Sequence, residues 1–335
     1  MARRRKAENE WLPERVYRGR SAFEFRPDKK TCIPLCPIDA HRRVVLRRHA
    51  EELTKYQVIE NSFEHLVSVF MASPAFSSLA VRTRSDYERY SKTVLKVFGK
   101  MQAEMIRPEH IRQYMDIRGE ETQVQANREH SFISKVFSWA YERGRVSMNP
   151  CHKVRKFTEE SRDRYIEDWE YDAVYEQANA YVKVAMEISY CCATRQGDIL
   201  NLKHEQLQEE GIYIKQGKTN KAQIKRWNPR LRAAIKMLRQ QQVVANRTYL
   251  FIDKNGQRIT GHKLRQWWRK ARDDAEKESR NKRLNMNLLF DFTFHDIKAK
   301  SISDYEGNKQ QFSGHKTQSQ VQVYDRKVPV VDIHD

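Results

Sequence analysis

The stretch FHDIKAKSISDYEGNKQQFSGHKTQSQVQVYDRK, residues 294–327, decides how this chain is read. It holds His295 and Lys298 in a His-x-x-basic step, then the pair Gly314-His315, then Tyr324. A tyrosine hydroxyl, with a pKa near ~10, is a weak nucleophile. It attacks phosphorus only where cationic donors stabilise the charge that develops on the phosphoryl oxygens. The stretch therefore reads as a phosphate-binding basic cluster beside a nucleophile. On periodicity alone, Val321, Val323 and Tyr324 also fit a packed apolar stripe.

Upstream, helices are expected at about Asp168 to Ala178 and Tyr181 to Ala193, followed by Ala193-Thr194-Arg195-Gln196-Gly197-Asp198. A hairpin follows, with strands Gly211 to Lys215 and Ala222 to Trp227 around a turn at Gly217-Lys218-Thr219-Asn220. Helices resume at about Pro229 to Gln241 and Gly261 to Lys277, and a short helix from Thr317 leads to Tyr324.

The first half divides differently. Val16-Tyr17, Ala22 to Phe25 and Thr31 to Leu35 read as short strands, and a helix is expected from about Ile38 to Leu53. From Ser62 to Phe157 the period becomes helical. One helix is expected around Phe63 to Ala72. A second has a capping box at Thr83 and Asp86 and a stop at Gly99, a third runs from Pro108 to Gly119, and a fourth from about Val124 to Gly144. Asn149-Pro150 closes this region, and the charged run Lys153 to Arg164 reads as a linker. The expected fold class is mainly α with small β elements, in three parts: 1–60, 61–158 and 159–335.

The formal charge is +19, with 63 Lys and Arg against 44 Asp and Glu, which selects a polyanionic partner, nucleic acid first. Exposed basic residues expected to meet DNA are Arg3, Arg4, Arg5, Arg18 and Arg20 at the N-terminal sheet, and Arg82, Arg84, Lys92, Arg128 and Lys135 on the helical part. A ribosome-associated or membrane-surface protein is the plainer reading of the charge. The five cysteines lack both CxxC repeats and paired histidine spacing, so a disulfide framework and a zinc site are disfavoured and reduced thiols are expected. No segment approaches the ~18 apolar residues of a membrane span, so a cytoplasmic protein is expected.

In their order, Arg195, the hairpin turn with Lys218, His295 with Lys298, Gly314-His315 and Tyr324 resemble the tyrosine recombinase (phage integrase) family. Each motif alone is common; their order and spacing are specific. Asn127-Arg128-Glu129 and Asn149-Pro150 resemble that family's core-binding domain, and the N-terminal sheet its arm-binding domain, so the resemblance spans nearly the whole chain.

The resemblance implies a small arm-binding sheet plus helix, a four-helix core-binding domain and a mixed α/β catalytic domain. It implies that Arg195 binds the scissile phosphate bidentately, that Lys218 protonates the leaving 5′ oxygen, with Lys221 in the same turn as the competing choice, and that His295 and His315 donate to phosphate oxygens, His295 also accepting the tyrosine proton. Tyr324 is then the nucleophile. Lys298 stands where an arginine is usual; lysine keeps the charge but loses the planar fork.

The resemblance further implies strand exchange through a 3′-phosphotyrosyl link, without metal or ATP, by a homotetramer on double-stranded core and arm sites, with a host DNA-bending protein and an excision factor as accessory partners. The biological outcome would be integration, and excision, of a phage or genomic island. A type IB topoisomerase-like relaxase and a silent DNA-binding repressor or architectural protein are the alternatives.

Overall fold

The computed structural model of the protein describes residues 7–28, 30–241, 248–281, 290–328 and 331. Arg3, Arg4 and Arg5, expected to meet DNA, lie outside the described residues. The chain forms two compact units, one up to Glu159 and one from Glu160.

The first unit has two separate cores. Strands β1 (Val16–Arg18), β2 (Ala22–Phe25) and β3 (Ile33–Pro37) form an antiparallel sheet in that order. Phe23 and Phe25, on one face of β2 by the period of two, are buried with Val16, Leu35 and Val45 of helix α1 (Arg42–Glu60). The third strand begins later than its β propensity suggests because Asp28 holds a turn. Its carboxylate accepts from the backbone N–H of Lys30 and Thr31 and from the Thr31 hydroxyl. The helix likewise starts at Arg42, not near Ile38, since the strand runs on to Pro37, a turn closes from Ala40 N–H to the Pro37 carbonyl, and His41 accepts from Arg43 N–H.

The second core is helical. Helix α2 (Phe63–Met71), the short α3 (Pro74–Ser77), α4 (Val81–Phe98) and α5 (Pro108–Tyr141) bury Phe63, Phe70, Phe98, Phe132 and Phe137 together. The expected capping box is absent: α4 starts at Val81 without a side-chain cap, and Asp86 instead pairs with Arg82 and Arg89 within the helix. Nor does Gly119 stop a helix. Helical backbone continues to a kink at Thr122, φ −159° and ψ 104°, and then resumes. Gly119 serves close approach: a Cβ there would lie 2.5 Å from the Phe157 ring. The chain stretch carrying Phe157 is held by Asn127, which donates to the Phe157 carbonyl and accepts from its N–H, both at 2.9 Å.

The second unit packs helices α6 (Asp168–Gln177), α7 (Ala180–Cys192), the short α8 (Gln196–Leu200), α9 (Pro229–Gln240) and α10 (Gly261–Asn281) around one core that includes Ile188, Leu238, Phe251 and Trp268. Strands β4 (Gly211–Lys215) and β5 (Ala222–Arg226) form the hairpin. Helices α11 (Asp296–Asp304), α12 (Lys309–Ser313) and α13 (Gln318–Gln322) complete the unit. Mainly helical, with one three-stranded and one two-stranded sheet among the described residues, the protein is of the α+β class. Among the described residues, no helix is long and apolar enough to cross a membrane.

Candidate active site

Five segments of the second unit meet here. Helix α7 ends in Ala193, a left-handed residue at φ 51° with its side chain fully buried. A non-glycine residue there costs about 1–2 kcal/mol, and the turn is held by Ser189, whose hydroxyl donates to the Thr194 carbonyl and whose own carbonyl accepts from Ala193 N–H. The turn delivers Arg195 as N-cap of α8, half-buried. Its Nη1 donates to Gln216 Oε1 at 3.1 Å.

In the hairpin turn Lys218 is exposed, and the preceding Gly217 N–H donates to Asp198 Oδ1 at 2.9 Å. Lys221 is exposed as well. A third hairpin lysine, Lys225, is committed elsewhere: its ammonium donates to the Phe312 carbonyl and lies over the Phe312 ring.

His295 precedes α11, and Lys298 lies in that helix's first turn, only 1% exposed. Past α12, Gly314 takes φ +70°, a conformation that favours glycine, and a Cβ there would also meet Gln216 Nε2 at 2.6 Å. His315 follows, buried, with Nδ1 2.8 Å from the Ser313 hydroxyl. Thr317 caps α13 by accepting from Gln320 N–H, and Tyr324 sits just beyond that helix, half-buried.

These side chains converge on the tyrosine. The Tyr324 hydroxyl is 3.2 Å from His295 Nε2, its ring stacks on His315 at 4.8 Å between centroids, and Lys298 Nζ lies 5.4 Å from the ring centroid. Lys298 Nζ and His315 Nε2 are both buried with no hydrogen-bond partner among the described residues. Buried polar nitrogens without partners are expensive, and two against the Tyr324 ring leave a place for an anion.

Burial, foremost, and the charge of Arg195 hold the Lys298 ammonium down to about 7, with Lys225 and Lys218 adding to the effect and Asp198 opposing it. Burial, then Lys298 and Arg195, push His315 down to about 4. With His315 neutral, either the Ser313 hydroxyl or Nδ1 donates across their 2.8 Å contact; in the tautomer whose Nδ1 accepts from the hydroxyl, the ring proton is on Nε2. Desolvation and Lys298 also lower His295, although its outer edge is exposed. All six residues singled out as catalytic from sequence thus lie in this unit, and Arg195, His295, Lys298, His315 and Tyr324 adjoin one another or share electrostatic coupling. Lys218 reaches the group through its charge on Lys298 and His315.

Gln216, Ser313, Asp296 and Arg326 escaped the sequence reading. Gln216 and Ser313 each adjoin a motif residue in sequence, but no periodicity marks them. Of the expected DNA-contacting residues, Arg18, Arg20, Arg82, Lys92, Arg128 and Lys135 are exposed and Arg84 is half-buried. Arg82 is engaged by Asp86 and Arg128 by Glu159.

Comparison with known proteins adds two kinds of match. Residues 158–329 fit the family described as "Phage integrase family", and residues 63–157 the "Phage integrase central domain". No curated protein matches the chain. Among solved structures, a lambda integrase dimer bound to a COC′ core site aligns with TM-score 0.67 and 18% identity over 99% of this chain and 100% of that one. A lambda integrase tetramer bound to a Holliday junction gives 0.66 and 18% over 99% of each. The Tn1549 transposon integrase in complex with circular intermediate DNA gives 0.62 and 12% over 80% and 96%. At these identities the structures speak for the fold.

Proposed function

The chain belongs to the phage integrase family and is a DNA strand transferase of the tyrosine recombinase class, and on that premise we propose that Tyr324 cleaves DNA through a 3′-phosphotyrosyl intermediate. The observation that carries this reading is the Tyr324 hydroxyl 3.2 Å from His295 Nε2, with two buried nitrogens against the tyrosine ring that have no partner among the described residues, Lys298 Nζ and His315 Nε2.

In the proposed step the Tyr324 oxygen attacks the scissile phosphorus and gives its proton to His295, whose lowered pKa keeps it neutral and able to accept near pH 7. Arg195, Lys298 and His315 bind the nonbridging oxygens. The bond to the 5′ oxygen breaks, and that oxygen takes a proton from Lys218. Lys218 is favoured over Lys221 because its charge acts on both Lys298 and His315, whereas Lys221 acts on His315 and Lys225. The freed 5′ hydroxyl of a second strand then attacks the phosphotyrosine. Bond energy is kept in the covalent link and the cations supply the countercharge, so the reaction needs neither ATP nor a divalent metal.

The same chain supplies both nucleophile and phosphate ligands, which supports cleavage in cis. By likeness to the integrase complexes on a core site and on a Holliday junction, we read the working assembly as a homotetramer joining two duplexes in the cytoplasm, at the nucleoid. Core sites fall to the second unit and the helical part of the first, and arm sites to the N-terminal sheet with Arg18 and Arg20. Joining such modules on one chain raises their effective concentration on bridged DNA. Integration and excision of a phage or genomic island, aided by a host DNA-bending protein and an excision factor, is the proposed outcome.

The test is a nicked suicide duplex carrying a site selected by the Tyr324→Phe chain from a random-sequence pool, incubated with the parent chain in EDTA. A covalent protein–DNA adduct that Tyr324→Phe abolishes is expected. No adduct on DNA that the chain binds would overturn the proposal.

A further inference from the structure

Gln216 is only 4% exposed, and both ends of its carboxamide are committed. Nε2 donates to the Ser313 carbonyl at 2.8 Å, immediately before Gly314-His315. Oε1 accepts from Arg195 Nη1 at 3.1 Å and from the Thr219 hydroxyl at 3.1 Å, next to Lys218. The Gln216 backbone closes the same turn, its N–H donating to the Lys221 carbonyl and its carbonyl accepting from Asn220 N–H, each at 2.9 Å.

The chemistry fixes the orientation of the amide. A guanidinium only donates and a peptide carbonyl only accepts, so the oxygen must face Arg195 and the nitrogen Ser313. One side chain therefore ties together the phosphate-binding arginine, the turn that presents Lys218 and the segment that presents His315, three places far apart in the chain. Gly314 completes the fit by leaving room for Gln216 Nε2, which a Cβ would meet at 2.6 Å.

We propose that Gln216 is a positioning residue for strand cleavage, setting the Arg195 guanidinium and the Lys218 turn against the His315 segment. It touches neither phosphate nor tyrosine; it acts through Arg195. The assignment rests on the proposed phosphotyrosyl reaction. A buried amide holding a guanidinium removes side-chain freedom before the phosphate arrives, and small losses of alignment in such sites are costly to the rate.

The test compares the full-length parent with Gln216→Met, which keeps length and packing, and Gln216→Glu, which keeps shape but ion-pairs with Arg195, drawing its charge away from the phosphate, and sets a carboxylate against the Ser313 carbonyl. Each is measured for thermal melting, for noncovalent affinity toward the selected nicked duplex, and for single-turnover adduct rate, alone and with Arg195→Lys. Affinity for DNA should stay within roughly threefold, while the adduct rate falls about 100-fold in Gln216→Met and further in Gln216→Glu. With Arg195→Lys already present, Gln216→Met should cost no more than roughly threefold further, since the partner it positions is gone.

A parent-like adduct rate in Gln216→Met, or a loss that multiplies in full with that of Arg195→Lys, overturns the assignment while leaving the phosphotyrosyl reading intact. Should Gln216→Met melt early, the same criteria apply to Gln216→Glu. Failure of the parent to form any adduct removes the underlying reading, and this inference with it.

Discussion

Arg326 and Asp296 form a buried ion pair, Nη1 to Oδ1 at 2.6 Å, that joins the chain just past Tyr324 to the residue just past His295. The Ser303 hydroxyl works alongside it, donating to the Tyr324 carbonyl at 3.1 Å and accepting from Arg326 N–H at 2.8 Å. Lys309 adds a two-oxygen contact to Asp325 at 2.8 Å. The chain on the C-terminal side of the Tyr324 Cα is thus held by side chains of α11 and α12.

Removing Arg326 leaves the Asp296 carboxylate buried, with Arg162 at 3.4 Å and Thr293 as its remaining partners. Arg326→Ala is expected to destabilise the fold by about 2–4 kcal/mol, read by chemical denaturation, and to slow adduct formation more than DNA binding. The same clasp predicts no complementation: mixing Tyr324→Phe with Arg195→Ala chains should give no adduct, and a restored signal would show cleavage in trans. Burial raises the Asp296 pKa, but the Arg326 and Thr293 hydrogen bonds outweigh it and leave it below the usual carboxylate value. A carboxylate depressed in the fold contributes stability that is present above its unfolded pKa near ~4 and lost as pH falls through the folded value. The melting temperature should therefore drop on acidification below about pH 4, and less steeply in Asp296→Asn.

Lys298 gives the reaction its own pH dependence. In the free protein the ammonium titrates at about 7, under burial and the neighbouring Arg195, Lys225 and Lys218, with Asp198 opposing. In the proposed reaction its charge serves the phosphate only when it is protonated. The apparent second-order rate of adduct formation should then fall as pH rises above about 7, the limb reporting the free protein. An arginine stays charged, so Lys298→Arg is expected to flatten that limb while remaining within roughly tenfold of the parent at pH 7, about 1.4 kcal/mol. A complete loss at every pH would show that the pocket is shaped around lysine.

A buried cation kept for function is a burden to the empty protein. Lys298→Met should abolish adduct formation and stabilise the DNA-free chain by about 1–3 kcal/mol at pH 7. The unfolded chain holds the lysine proton up to about 10.5 while the folded chain releases it from about 7, so in the parent this group's penalty fades as pH rises across that window. Denaturation at a series of pH values should show the methionine gain shrinking accordingly; a constant gain would contradict the account.

Gly119 offers a test in the first unit that is independent of chemistry. Gly119→Ala places a methyl against the Phe157 ring, which Arg112 also covers at 5.0 Å. Overpacking there is expected to cost about 1–2 kcal/mol, although alanine is otherwise the better helix former. Stabilisation on denaturant titration would mean that the ring moves aside freely.

The sequence reading succeeded where one element reports on itself. The strand over Ala22 to Phe25, the hairpin around Gly217-Lys218-Thr219-Asn220, and the short helix from Thr317 depend on neighbours within a few residues, and they stand in the structure. Where a distant group intervenes the expectation fails: Gly119 answers to Phe157 and not to a helix end. The start of β3 is postponed locally, by the Asp28 side chain closing a turn onto Lys30 and Thr31.

For the site, the residue types and their order were legible in the chain: Arg195, Lys218, His295, Lys298, His315 and Tyr324 are a chemistry written in one dimension. Tertiary structure alone decided that Lys298 Nζ and His315 Nε2 are buried without partners among the described residues, that Ser313 meets His315 and Gln216 meets Arg195, and that Arg326 clasps Asp296 behind the tyrosine. The physical reason is that desolvation and hydrogen-bond pairing depend on what surrounds a group in space, and those surroundings come from segments that the sequence keeps far apart.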